Sequence, residues 1–188
     1  RISSIAVDGY ELLVTGGPAD HPMLWGAYPM VPWAGRVRKG RFSFDDTSYS
    51  LPINLSPHAI HGVGFDRPWR EIGPSAVGID LDWPLGGWAR HEVTVSADGS
   101  TLTATLTVGN DDRPMPAQAG WHPWFRRPLE LARFDAASML VRDAEGMPDG
   151  LLSTPPPDGP WDDCFLDVTQ PIVLSFAAGG GPERVELS

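Results

Sequence analysis

The chain has 188 residues, 41% of them hydrophobic and 20% charged, with a formal net charge of −10. That length can bury a real core and favours one domain, while the acidity argues against a surface built for nucleic acid or an anionic membrane. A single cysteine, Cys164, leaves no internal disulfide framework and no Cys-based zinc cluster, and the apolar runs are too short and broken for a transmembrane span.

Gly (21) and Pro (20) are both abundant and spread along the chain, which reads as many turns between many short strands. The chain starts at Arg1 without an initiator Met or a signal peptide, as an internal portion of a longer product would. The lone cysteine fits a reducing cytoplasm, the expected location.

Period-two alternation recurs from the N-terminus onward. Asp8-Gly9 separates Ile5/Val7 from Glu11–Val14 and predicts a hairpin, because Gly accepts the positive φ of a tight turn. Gly16 to Pro22 is a loop that leads into Trp25–Trp33. Phe42 and Phe44, then Tyr49, Leu51, Ile53 and Leu55, alternate around Asp45-Asp46-Thr47 as a second hairpin. A third forms at Asp98-Gly99, between Val93/Val95 and the alternating Thr101–Val108 run. Pro155–Pro160 is a stiff connector delivering Trp161–Phe165. Ile172–Phe176 is strand-like, and after Gly179-Gly180-Gly181 a further strand, Glu183–Leu187, begins. It has no obvious partner after it, so either the sheet closes through an earlier strand or residues beyond Ser188 belong to it. No helical stripe survives the Gly and Pro interruptions. The expected fold is all-β, an antiparallel β-sandwich in a single domain spanning 1–188.

The segment Gly120-Trp121-His122-Pro123-Trp124-Phe125 holds a titratable imidazole inside an aromatic wall. Flat apolar ring faces suit the C–H surface of a sugar, and imidazole can give or take a proton near neutrality. A core histidine in a Trp-rich interior would carry the same pattern, so this segment leaves both readings open. Arg36 follows a Gly and precedes a strand, where a guanidinium fork could face a ligand or simply guard a sheet edge. For Arg38, Lys39 and Arg41 the solvated edge is the preferred reading. His61, between Ile60 and Gly62, belongs at a sheet rim; its neighbour His58 raises a zinc reading that lacks a third ligand. Asp162 and Asp163 are adjacent, so on a strand only one of them faces a given cleft. That excludes a carboxylate pair set about 5–9.5 Å across one sugar, as a glycosidase needs. His21 and His91 read as surface residues.

The ordered set Tyr28–Arg38, Ile60-His61-Gly62 with Gly64-Phe65, Gly120–Phe125 and Trp161–Phe165 resembles the aldose 1-epimerase (galactose mutarotase-like) family. The resemblance runs over essentially the whole chain and implies a large antiparallel β-sandwich, a supersandwich, with a sugar cleft across one sheet. It implies interconversion of the α and β anomers of a hexose or related aldose by acid–base ring opening, a step of carbohydrate metabolism. Neither cofactor nor metal is implied, and the partner is a small-molecule sugar, with oligomeric state unassigned. By position His122 matches the acid to the ring oxygen. His61 and Arg36 match groups that orient the ring, with His61 counted beside His122 as catalytic. Asp162 matches the carboxylate that accepts from sugar hydroxyls, while Trp33 and Trp124 supply aromatic faces for the substrate. Pro-Trp-Ala-Gly-Arg at 32–36 stands where better-known mutarotases have Asn-Arg, which removes one amide from the cleft.

The resemblance puts the general base on a glutamate well after the aspartate motif. Glu183 and Glu186 lie too soon after Asp162 and in the wrong context. The expectation is therefore a chain that stops short of its base and of the last strands. Two other functions fit the same residues: a non-catalytic carbohydrate-binding β-sandwich, and a hexose-6-phosphate 1-epimerase using Arg126/Arg127 or Arg36/Arg38 for the phosphate.

Overall fold

The computed structural model describes residues 1–152 and 163–188. Among them strands dominate, every strand pair is antiparallel, and helix is confined to two 3-10 turns, Arg38–Gly40 and Ala177–Gly179. Contacts divide the chain into two compact units, one of Arg1–Ser3 with Leu13–Trp124, the other of Ser4–Leu12 with Phe125–Ser188.

In chain order, β1 (Ala6–Val7) and β2 (Tyr10–Glu11) form a hairpin that belongs to the second unit. The first unit then runs through β3 (Ala27–Met30), β4 (Arg36–Val37), β5 (Arg41–Phe44), β6 (Thr47–Ser50) and β7 (Ala59–Ile60). Its main sheet follows, with β8 (Arg70–Gly73), β9 (Ala76–Asp80), β10 (Trp88–Val95) and β11 (Leu102–Gly109) ordered β11-β10-β9-β8. The unit closes with β12 (Gly120–Pro123), which returns to pair with β3. The second unit is a sheet of β13 (Leu131–Arg142), β14 (Pro148–Leu152), β15 (Cys164–Ser175) and β16 (Val185–Leu187), ordered β14-β13-β15-β16.

All three expected hairpins form. At the first, Asp8 (φ 50°) and Gly9 (φ 81°) turn the chain so that Val7 faces Tyr10. At the second, Asp45 and Asp46 both take left-handed φ, and Phe42 stacks on its cross-strand partner Tyr49 at 5.1 Å. Strand pairing there ends at Ser50: Leu51 turns into the core, while Ile53 and Leu55 are exposed instead of continuing the alternation. At the third, the Asp98 carboxylate collects bonds from the Ser96 hydroxyl and from the Ser100 amide and hydroxyl. Those bonds hold its pKa down to about 2.

Along β11 the threonines 103, 105 and 107 are exposed, while Leu106 and Val108 pack on Val31, Ile79, Leu81 and Ala89. The second unit buries Leu12, Leu174 and Phe176 beneath Tyr10, Phe125 and Val185. The strand expected at Glu183–Leu187 is the shorter β16, and it pairs with an earlier strand, Val185 facing Leu174 on β15.

One histidine is the reverse of its expectation. His91 is 3% exposed, not on the surface. It lies mid-strand on the same face of β10 as Ala89, and its Nε2 accepts from the Trp121 indole N–H at 3.3 Å. A polar residue in an inward register position is carried inside by its strand, and the indole satisfies it there.

Candidate functional site

The site begins with two short strand pairs of the first unit. The β3–β12 register sets His122 directly opposite Tyr28. Alternation along β12 then splits the aromatic wall read from the sequence. Trp121 points to His91, while His122 and Trp124, two residues apart, share the other face.

The β4–β7 pair aligns Arg36 with Ile60, so His61 leaves the strand end beside Gly35. There the His61 amide donates to the Gly35 carbonyl at 3.0 Å, and the Gly35 amide donates to His61 Nδ1 at 3.2 Å. Because Nδ1 accepts, the neutral ring carries its hydrogen on Nε2 and presents it as a donor.

His61 and Gly62 are both left-handed, at φ 60° and 78°. Only glycine fits the second position, since a Cβ there would sit 1.9 Å from the Val31 carbonyl oxygen. Val63 then donates to that same oxygen at 2.8 Å. Val31 follows directly on β3, so this close approach pins the His61 turn to the strand that carries Tyr28.

The result is a cluster of rings. His61 and His122 are 5.1 Å apart, edge to face at 71°. Tyr28 lies 4.9 Å from His122 and nearly parallel to it, at 10°, and meets His61 edge-on at 6.1 Å. Trp124 stacks on His122 at 5.5 Å, its own indole N–H held by the Met23 carbonyl at 2.7 Å. Burial, then the nearby His122 and Arg36, push the His61 imidazole down to about 4. Burial pushes the Tyr28 phenol up to about 12. Around neutral pH both groups are therefore uncharged.

The other expected residues are distributed as follows. Arg36 is half-buried and close enough to His61 to act on its ionisation. Trp33 bridges to Gln118 and packs its ring on Trp83 at 5.9 Å; its Nε1 is buried with no hydrogen-bond acceptor among the described residues. His58 is 1% exposed, and its Nδ1 accepts from the Lys39 amide at 3.1 Å, so the two neighbouring histidines serve different backbone amides. Asp162 and the Pro155–Pro160 connector lie outside the described residues. Its neighbour Asp163 accepts from Arg142 at 3.5 Å. Tyr28 opens the Tyr28–Arg38 motif but was given no role from the sequence; its place beside His122 comes from the β3–β12 register. An open cleft of about 700 Å³, walled in part by Trp25, Phe65, Arg67 and Trp69, touches the Tyr28 cluster through Phe65 but includes none of the expected site residues.

Solved structures share this architecture. One from an Escherichia coli K12 protein superposes with a TM-score of 0.70 over 92% of this chain and 62% of its own, at 20% identity. The galactose 1-epimerase of Lactobacillus acidophilus NCFM gives 0.62 over 99% and 66%, also at 20% identity. A galactose mutarotase-like protein of Clostridium acetobutylicum gives 0.59 over 73% and 50%, again at 20% identity. The fold is thus all-β and galactose mutarotase-like, as the sequence resemblance implied.

The aldose 1-epimerase family model matches residues 2–159, and the chain belongs to that family. Among curated relatives, the uncharacterized protein YphB of Escherichia coli (strain K12) is 32% identical over 104 residues, covering 52% of this chain and 36% of YphB. The galactose mutarotase of Rattus norvegicus is 36% identical over 78 residues, covering 37% of this chain and 23% of that protein. The chain therefore spans only part of the length of the curated relatives it matches.

Proposed function

We propose that the chain carries the acid side of an aldose 1-epimerase site, with His122 as the proton donor to the ring oxygen of an aldose. The observation that carries this reading is the contact between His61 and His122, 5.1 Å apart, with His61 held neutral down to about pH 4. Two adjacent imidazolium ions would repel, so a neutral His61 places no positive charge beside His122.

In the proposed reaction a general base removes the proton from the C1 hydroxyl, the C1–ring oxygen bond breaks, and His122 protonates the departing ring oxygen. The open aldehyde turns about C1–C2. Closure on the other face returns the ring-oxygen proton to His122 and the base proton to the new C1 hydroxyl, so the catalyst is unchanged. His61, through Nε2–H, and Arg36, through its guanidinium, donate to sugar oxygens and fix the ring. Trp124 offers the apolar face, Trp33 the outer wall, and Asp162 the acceptor for sugar hydroxyls. Glu183 and Glu186 are exposed, and Glu186 is held by Arg184 at 2.7 Å; neither is assigned as the base.

The test is polarimetry of freshly dissolved α-D-glucose and α-D-galactose with the native protein and with His122→Ala. Loss of ~10²–10⁴-fold in anomer interconversion with sugar affinity retained supports the reading. An unchanged rate overturns it, and sugar binding without any interconversion by a protein that carries a general base favours a carbohydrate-binding protein instead.

A further inference from the structure

We infer that Tyr28 is a positioning residue for His122, its buried ring serving as the platform that sets the imidazole's orientation and favours its proton-donating form. This rests on the proposed role of His122 and gives a role to a residue that the Tyr28–Arg38 motif contains but leaves unassigned.

The geometry is that of a fixed base plate. Tyr28 is 1% exposed and sits across the β3–β12 pair from His122, rings 4.9 Å apart and 10° from parallel, within the range of offset stacking. Its ring also packs on Phe65 at 5.8 Å, inside the apolar cluster of Tyr28, Met30 and Phe65. An imidazole turns about a soft χ2 torsion with a broad minimum, so its direction must be imposed by what it lies against. Tyr28 imposes it from β3 and Trp124 from the end of β12, at 5.5 Å.

The same stack acts on charge. The face of an aromatic ring is negative and attracts a cation laid over it, so the imidazolium gains more from Tyr28 than the neutral imidazole does. Among the described residues, the titratable and charged groups around this stack include His61 and Tyr28, with Arg36 beyond His61 and Arg1 over the Tyr28 ring. His61 and Tyr28 are neutral through the physiological range, and the Arg1 guanidinium stands 6.0 Å from the Tyr28 ring centroid.

Tyr28→Phe keeps the ring and Tyr28→Leu removes it. With the native base present, Tyr28→Phe should hold kcat within about twofold, because the hydroxyl is not part of the platform. Tyr28→Leu should lower kcat about 10–100-fold with KM nearly unchanged, since misdirecting a bound group costs the chemical step. The limb of the kcat profile that falls as pH rises should also move by about half a unit to one unit toward acid. A second measurement needs no variant of Tyr28: the His122 ring protons of the unmutated protein, assigned by their loss in His122→Gln, should resonate upfield of those of exposed His21. A folded Tyr28→Leu protein with native kcat and an unmoved limb overturns the inference, as do His122 resonances lacking the ring-current shift. Either result leaves the proposed function standing if His122→Ala still abolishes interconversion. Should His122→Ala retain activity, the proposed function fails whatever the NMR shows.

Discussion

The imidazoles of His61 and His122 meet edge to face at 5.1 Å: His122 rides on β12, which pairs with β3, and the His61 turn is tied to the continuation of β3 by the Val31–Gly62 bridge. Burial depresses the His61 ring most, and His122 and Arg36 add to it. An NMR titration should therefore place the His61 midpoint at about 4. Arg36→Gln should raise that midpoint, because a cation that disfavours the imidazolium is gone. A midpoint at the ordinary histidine value would show that the ring is solvated and the cluster open.

Gly62→Ala should be among the most damaging single changes in the chain. The residue is left-handed, and its new methyl would meet the Val31 carbonyl that also accepts from Val63. Urea denaturation should show a loss of roughly 3 kcal/mol or more, or no folded protein. Gly9→Ala, left-handed but with open space around it, should cost only about 1 kcal/mol. Equal losses at the two positions would mean the Val31 contact is not tight.

Acid should weaken the protein through His91 and His61. Burial pushes His91 down to about 4, well below the value of a solvated histidine. Between about pH 6.5 and pH 4 the unfolded chain takes up a proton that the native ring refuses, so stability is full above that window and falls as pH drops through it. For His91 the loss at pH 5 relative to pH 7.5 should be ~1–2 kcal/mol. His91→Gln keeps an acceptor for the Trp121 indole and does not titrate, so its melting temperature should depend less on pH across this range. An unaltered pH dependence would place the acid sensitivity elsewhere.

In the second unit Phe176 is fully buried, against Tyr10 at 6.0 Å and Phe125 at 6.1 Å. Phe176→Ala should cost about 3–5 kcal/mol by calorimetry or denaturant melting, through lost burial and the cavity left behind. A cost near 1 kcal/mol would mean that the side chains around it close the gap.

Local features were legible in the residues themselves. The turns at Asp8-Gly9, Asp45-Asp46 and Asp98-Gly99 depend on a few adjacent φ angles written in neighbouring residues, so their hairpins could be read directly. The ordered motifs around Arg36, His61 and His122 were likewise enough to indicate the family. The strands β8, β9, β13 and β14 were not legible because they carry no clean alternation, although β8 pairs with β9 and β13 with β14 as neighbours in the chain. Pairing between distant segments, as of β3 with β12, was not legible either. His91 and Tyr28 make the same point at single residues. A polar ring became a core residue because β10 faces it inward toward Trp121, and an ordinary tyrosine became the neighbour of His122 because β12 returns to β3 in one register. Alternation tells which side chains share a face of a strand, but only the tertiary pairing of strands decides what that face is laid against.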